Sequence, residues 1–167
     1  MENPAVATPG LPTFDLSYVV DQLSHKPEYS GWTPERFAIA EREYRRFLVL
    51  CKMHPDQPII PGRDVDSVWH RHILNTKRYM VDCRGYFGCY LHHSPHSRIE
   101  AGTSTANDSW LNTLYLYEKV FGEKPADGWL SGMAICNGGC DGAACSPGQV
   151  DGLPATDEDY RGMFTSA

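Results

Sequence analysis

The stretch VDSVWHRHILNTKRYMVDCRGYFGCYLHHSPH, from Val65 to His96, holds five of the chain's seven histidines, together with Asp66, Trp69, Cys83, Cys89 and the tyrosines Tyr79, Tyr86 and Tyr90. Each imidazole brings an apolar ring and two nitrogens that need partners, so crowding several of them is costly unless something shared satisfies them. A metal ion is the obvious shared partner, because neutral imidazole is the commonest metal ligand.

The spacing decides which of these side chains can meet. On a regular helix each residue advances about 100°, so Asp66 and His70, at i and i+4, share one flank and can converge on one ion. His72 lies on another face, with Val65, Trp69, Thr76, Met80 and Cys83, and an HxH pair chelates from an extended strand but not from a regular helix. Asp66 and His70 are therefore candidate ligands, and the YLHHSPH segment offers His92, His93 and His96 to complete the set. One carboxylate with two histidines and open positions suits non-haem iron, and copper or zinc accept the same donors.

Plainer readings stand beside these. Asp66 also serves as negative charge in the first helical turn, His70 as its salt-bridge partner, and His72 as a core histidine bonded to a carbonyl or a tyrosine hydroxyl. Tyr79 and Tyr90 are core or interface residues by type, and beside a redox metal either becomes a candidate catalytic residue that donates a proton or an electron. Cys83 falls on the apolar stripe as a small buried hydrophobe, whereas Cys89, next to the histidines, is the better candidate for a ligand or reactive thiol. Cys136, Cys140 and Cys145 are spaced CxxxC and CxxxxC, unlike the CxxC pairs of a zinc ribbon, and read either as a soft-metal site or as part of a flexible tail.

Helices must position these residues. Phe14, Leu16, Val19, Val20 and Leu23 recur at helical spacing, and the pattern ends at HKPEYSGW. Thr33, Pro34 and Glu35 form a start signal for a second helix, whose stripe is Phe37, Ala40, Tyr44, Phe47 and Cys51. Asp64 is expected to cap a third, running unbroken from Val65 to about Cys83 or Tyr86 and stopping near Gly85 or Gly88. Trp110, Leu114, Tyr117 and Phe121 mark a fourth, with Gly122 after it. The expectation is an all-α, four-helix domain over residues 1–129, followed by an irregular glycine- and cysteine-rich tail over 130–167, packed over the domain or flexible.

Composition narrows the partners. With 15 basic and 21 acidic side chains the net charge is −6, and no basic stripe is visible, which argues against nucleic acid. No apolar run reaches the roughly twenty residues of a membrane span, and MENPAVATPGLPTF lacks the features of a signal peptide. These absences predict a cytoplasmic protein with no membrane partner, in which six cysteines serve as buried thiols, metal ligands or redox groups.

Residues 59 to 125 resemble the glycine-rich domain-containing protein-like family, bacterial type. The pattern V-D-x-x-W-H-x-H, then Y-x-x-D-C, then F/Y-G is filled here by Asp66, Trp69, His70, His72, Tyr79, Asp82, Cys83 and Gly88. The resemblance implies a helical fold and gives weight to Trp69, His70 and His72, so His72 joins the candidate ligands. It supplies no reaction. The leading expectation is a metal-dependent enzyme, an iron or copper oxidase or oxygenase acting on a peptide or small metabolite. A zinc hydrolase with Asp66 or Glu100 as general base is a variant of it. The rival is a non-catalytic metal-handling or protein-interaction module, favoured by the thiol-rich tail and by the lack of a nucleophile motif, phosphate loop or dinucleotide fingerprint.

Overall fold

The Thr33-Pro34-Glu35 signal starts a helix as its chemistry requires: Thr33 Oγ1 accepts the backbone N–H of Arg36 at 3.3 Å, and Pro34 occupies the first helical position. The computed structural model describes residues 9–93, 104–126 and 129 of the chain. Among them it is all-α, with α1 (Ser17–Ser24), a 3₁₀ turn (Pro27–Tyr29), α2 (Pro34–Met53), α3 (Arg63–Leu74), α4 (Thr76–Phe87) and α5 (Ser104–Phe121). Gly88 and Gly122 adopt the left-handed conformation, at φ 77° and 70°, just after α4 and α5. That conformation is sterically open to glycine and ends both helices. The tail expected over residues 130–167 lies outside the described residues, as does most of the segment carrying His96 and Glu100.

α2 is the central post. Its expected stripe is buried, and over its last turns Leu48, Val49 and Leu50 are buried too, so other elements enclose it on several sides. α3 packs against α2, α1 and α4, with the Phe47 and Trp69 rings 4.9 Å apart. Trp129 closes the core against Phe47, Trp110 and Tyr117.

Two ion-paired contacts fix the helices to one another. Asp64 sits in the first turn of α3, whose N-cap is Gly62, so it is not the cap that the sequence suggests. Its carboxylate instead accepts Nε and Nη2 of Arg36 at 2.8 and 3.0 Å, joining α3 to the start of α2. On the far side, fully buried Glu43 accepts the Tyr117 hydroxyl at 2.6 Å and Arg42 Nε at 3.0 Å, and Arg46 bridges it to Glu123. Burial and this carboxylate push the Tyr117 phenol far above its ordinary pKa, so it remains a donor.

The third expected helix is broken in two. At Asn75 the backbone leaves helical geometry (φ −90°, ψ 62°), and the side-chain amide donates to the Arg71 carbonyl at 2.9 Å. A short polar side chain has here taken over a carbonyl that a continuing helix would have filled with backbone N–H. Gln22 of α1 fixes the arrangement, accepting from Asn75 Nδ2 at 3.1 Å and from Arg71 Nε at 2.8 Å. The break shifts the phase of the buried face. Thr76, expected inside, is exposed and Met80 only partly buried, while Tyr79 and Cys83 face the core.

Removing the Glu43 carboxylate leaves the Tyr117 O–H without its acceptor and unbalances Arg46 at a buried helix contact. Glu43→Ala is therefore expected to lower stability by about 3 kcal/mol, measured by urea unfolding followed by circular dichroism. A loss below about 1 kcal/mol would show that this contact is not what holds α5 to α2.

Candidate metal centre

Asp66 sits in the first turn of α3 and is buried, with its backbone N–H bonded to the Gly62 carbonyl at 2.9 Å. One turn later His70 projects from the same flank, as the i, i+4 spacing dictates. His93 arrives from a different part of the chain. The left-handed turn at Gly88 ends α4, and the following segment buries Cys89 and Leu91. The Tyr79 hydroxyl holds this segment by donating to the Leu91 carbonyl at 2.6 Å, while accepting Trp69 Nε1–H at 2.9 Å. Two residues beyond Leu91, the His93 ring lies 4.5 Å from both the Trp69 and His70 rings.

Asp66, His70 and His93 thus form a group able to hold a metal ion. Their facing atoms make a small triangle: His70 Nε2 to His93 Nε2 2.8 Å, His70 Nε2 to Asp66 Oδ1 3.5 Å, and His93 Nε2 to Asp66 Oδ1 3.6 Å. Such a triangle has a circumradius of about 1.9 Å, so a point roughly 2.1 Å from all three atoms lies just off its plane, the distance at which imidazole nitrogen and carboxylate oxygen bind a transition metal. The spacing of the donor set suits one such ion. At 2.8 Å the two Nε2 atoms either share one proton, as donor and acceptor, or present two lone pairs to one cation.

The electrostatics favour the ligand form of His70. Burial lowers its pKa below the ordinary imidazole value, Asp66 opposes that shift and His93 reinforces it. The neutral ring, which has a lone pair to give, is therefore the resting form at neutral pH. His70 is also the accessible member, its side chain 43% exposed against 8% for Asp66 and 11% for His93.

The other histidines go elsewhere. His72 is enclosed in the core, where Nδ1 meets the Tyr44 hydroxyl at 2.9 Å and Nε2 meets Asp82 Oδ2 at 3.0 Å. Both nitrogens are engaged, so His72 is a structural histidine and not a ligand of this group. The opposite placement of His70 and His72 is the one that regular helical geometry predicts. His92 is exposed and rests its ring on Tyr90, 4.7 Å between centroids, outside the triangle. His96 and Glu100 lie outside the described residues.

Tyr79, a candidate catalytic residue by sequence, has its enclosed hydroxyl bonded to Trp69 and to the Leu91 carbonyl. Tyr90 stacks edge-on against Tyr79 at 5.2 Å, and no ring contact joins it to His70 or His93 among the described residues. Cys89 is disulfide-bonded, which removes it as a thiolate ligand and departs from the expectation of reduced cysteines, whereas Cys51 and Cys83 are buried thiols as expected. Cys136, Cys140 and Cys145 lie outside the described residues.

Sequence reasoning missed the Trp69–Tyr79–Leu91 bridge and the pairing of Asp82 with His72. The Y-x-x-D-C motif held a signal for both, since it places a hydroxyl and a carboxylate three residues apart on the helix that follows the histidines. Two surface hollows stand apart from the triangle. One, of about 450 Å³, runs between α1 and α2 beside Tyr29, Trp32 and Phe37; the other, of about 170 Å³, is lined by Asp15, Arg78, Val81 and Asp82. No helix among the described residues is long and apolar enough to cross a membrane.

Comparison with known proteins places the site within a family. No curated protein and no solved structure matches the chain. The UCP032817-like family matches residues 13–118, a span that contains Asp66, His70, His93 and every helix from α1 to α4. The chain belongs to the UCP032817-like family.

Proposed function

We propose that this protein is a metal-dependent enzyme with Asp66, His70 and His93 as its metal ligands. The observation that carries the reading is the convergence of one carboxylate and two imidazole nitrogens from two chain segments onto one small triangle. Two histidines with one carboxylate are the donor set of non-haem iron oxygenases, and the three ligands found among the described residues leave positions for water or substrate, as in catalytic sites. Iron is accordingly the first choice and copper the second, with a peptide or small metabolite as substrate and an oxidation as reaction. When bound, the ion supplies Lewis acidity and, for iron or copper, a redox couple.

The chain's own residues have defined parts in this reading. Asp66 contributes the negative charge that offsets part of the cation's, from a buried position where that charge acts at low screening. His70 presents the ligand nearest solvent and so borders the approach for substrate. Trp69 backs the His93 ring from the core side and shields that face from water. The resemblance to the glycine-rich domain-containing protein-like family belongs to the same proposal, since two of the three donors, Asp66 and His70, occupy its motif.

Metal analysis of protein purified without an affinity tag tests the reading. The wild type is expected to carry, or take up from Fe2+, about one equivalent, and His70→Ala and His93→Ala to weaken uptake at least tenfold, a typical scale for losing a ligand or its support. Equal metal content in all three would end the proposal. His72→Ala provides the contrast: it should lower the melting temperature by several degrees, because it leaves the Tyr44 hydroxyl and Asp82 without their shared partner, yet leave metal uptake unchanged. Loss of metal from His72→Ala at a temperature where it is folded would assign that histidine to the centre after all.

A further inference from the structure

The three candidate ligands come from two segments, and something must bring His93 to the flank of α3. Besides the contact between His70 and His93 themselves, the Tyr79 hydroxyl makes two hydrogen bonds that join the segments: it accepts from Trp69, which lies between Asp66 and His70 in the chain, and donates to Leu91, two residues before His93. All three participants are buried, with Trp69 0%, Tyr79 1% and Leu91 3% exposed. In such a site water cannot substitute for a lost partner, so the bridge has a strong preference for being made. The same indole whose N–H feeds the bridge packs its ring against His93. One hydroxyl is therefore bonded both to the His93 segment and to the indole that walls the imidazole.

We infer that Tyr79 is a positioning residue for the metal centre: its hydroxyl, bridging Trp69 and the Leu91 carbonyl, holds His93 at ligating distance from His70 and Asp66 before any ion binds. This rests on the reading of Asp66, His70 and His93 as ligands and adds to it a cause for their preorganisation. Without the hydroxyl, the Leu91–His93 segment loses this buried hydrogen bond to α4, and more of the work of assembling the triangle falls to the ion itself, which lowers affinity. The hydroxyl acts through His93, so its effect should vanish where His93 is absent.

A double-mutant cycle reads this directly. Co2+ is titrated into wild type, Tyr79→Phe, His93→Ala and the double variant at a temperature where each is folded by circular dichroism, with the visible d–d bands giving affinity and ligand geometry. Tyr79→Phe is expected to weaken Co2+ binding five- to tenfold with altered bands, while adding it to His93→Ala changes affinity by less than twofold. Unchanged affinity in Tyr79→Phe, or equal losses in both backgrounds, would overturn the inference.

A wild-type measurement avoids any folding defect of the variants. Because coupling is reciprocal, Zn2+ should slow hydrogen exchange of the Trp69 indole N–H more than it slows the core amides of α2. Equal slowing would also overturn the inference. A wild-type chain that binds neither Co2+ nor Zn2+ defeats the proposed function and this inference together, whereas binding that depends on His93 but is indifferent to Tyr79 defeats only the inference.

Discussion

The buried polar groups of α3 must all be paired, and the rest of the structure follows from how they are. Trp69 sits at the middle of this helix with none of its surface exposed, flanked by Asp64, Asp66 and His72, which are also buried. None of these groups can rely on water, and each unpaired one would cost a substantial part of a small domain's stability. Arg36 of α2 meets Asp64, Tyr44 of α2 and Asp82 of α4 meet His72, and Tyr79 of α4 meets Trp69. The neighbours of α3 are thus chosen by its polar atoms as well as by its apolar ones. Asp66 is the exception in kind, because the groups brought to its carboxylate are two further potential ligands.

The break at Asn75 makes this pairing possible. Had α3 and α4 formed one straight helix, Tyr79 and Asp82 would have continued along the axis, and neither could return to touch Trp69 and His72. By reversing part of the chain's course after one helix of three turns, Asn75 and its partner Gln22 let two residues ten positions downstream pack back on two residues of α3. The second reversal, at Gly88, repeats the effect and delivers Leu91 and His93 to the same helix. A small helical domain has few ways of enclosing a site; here two closely spaced turns do so by folding the chain around its own histidine-bearing helix.

The two histidines of WHRH show how differently one motif can be used. His72 is locked between a tyrosine and a carboxylate and contributes to the core, while His70, two residues earlier, stands half exposed beside a second imidazole and a buried acid. A motif that joins them by sequence therefore joins a scaffold element to a site element. The motif therefore implies for His72 a ligand role that its helical phase does not.

Local spacing suffices for whatever depends on one helix at a time. The caps at Thr33, Gly88 and Gly122, the stripe of α2, the shared flank of Asp66 and His70 and the opposite placement of His72 all follow from 3.6 residues per turn and from the backbone preferences of threonine, proline and glycine. Which loop histidine meets that flank is a matter of tertiary packing, since His92 and His93 are adjacent in sequence and their separation into solvent and site depends on how Leu91 is anchored. The same holds for Tyr79, whose residue type suits catalysis as well as packing and whose hydroxyl bonds are made to two separate segments. The break at Asn75 belongs to this second class as well: an asparagine is tolerated within a helix, and it was Gln22, some fifty residues away, that stabilised the alternative. Angles within a helix are set by local covalent geometry, whereas the meeting of separate segments is set by which buried donors and acceptors can be satisfied together.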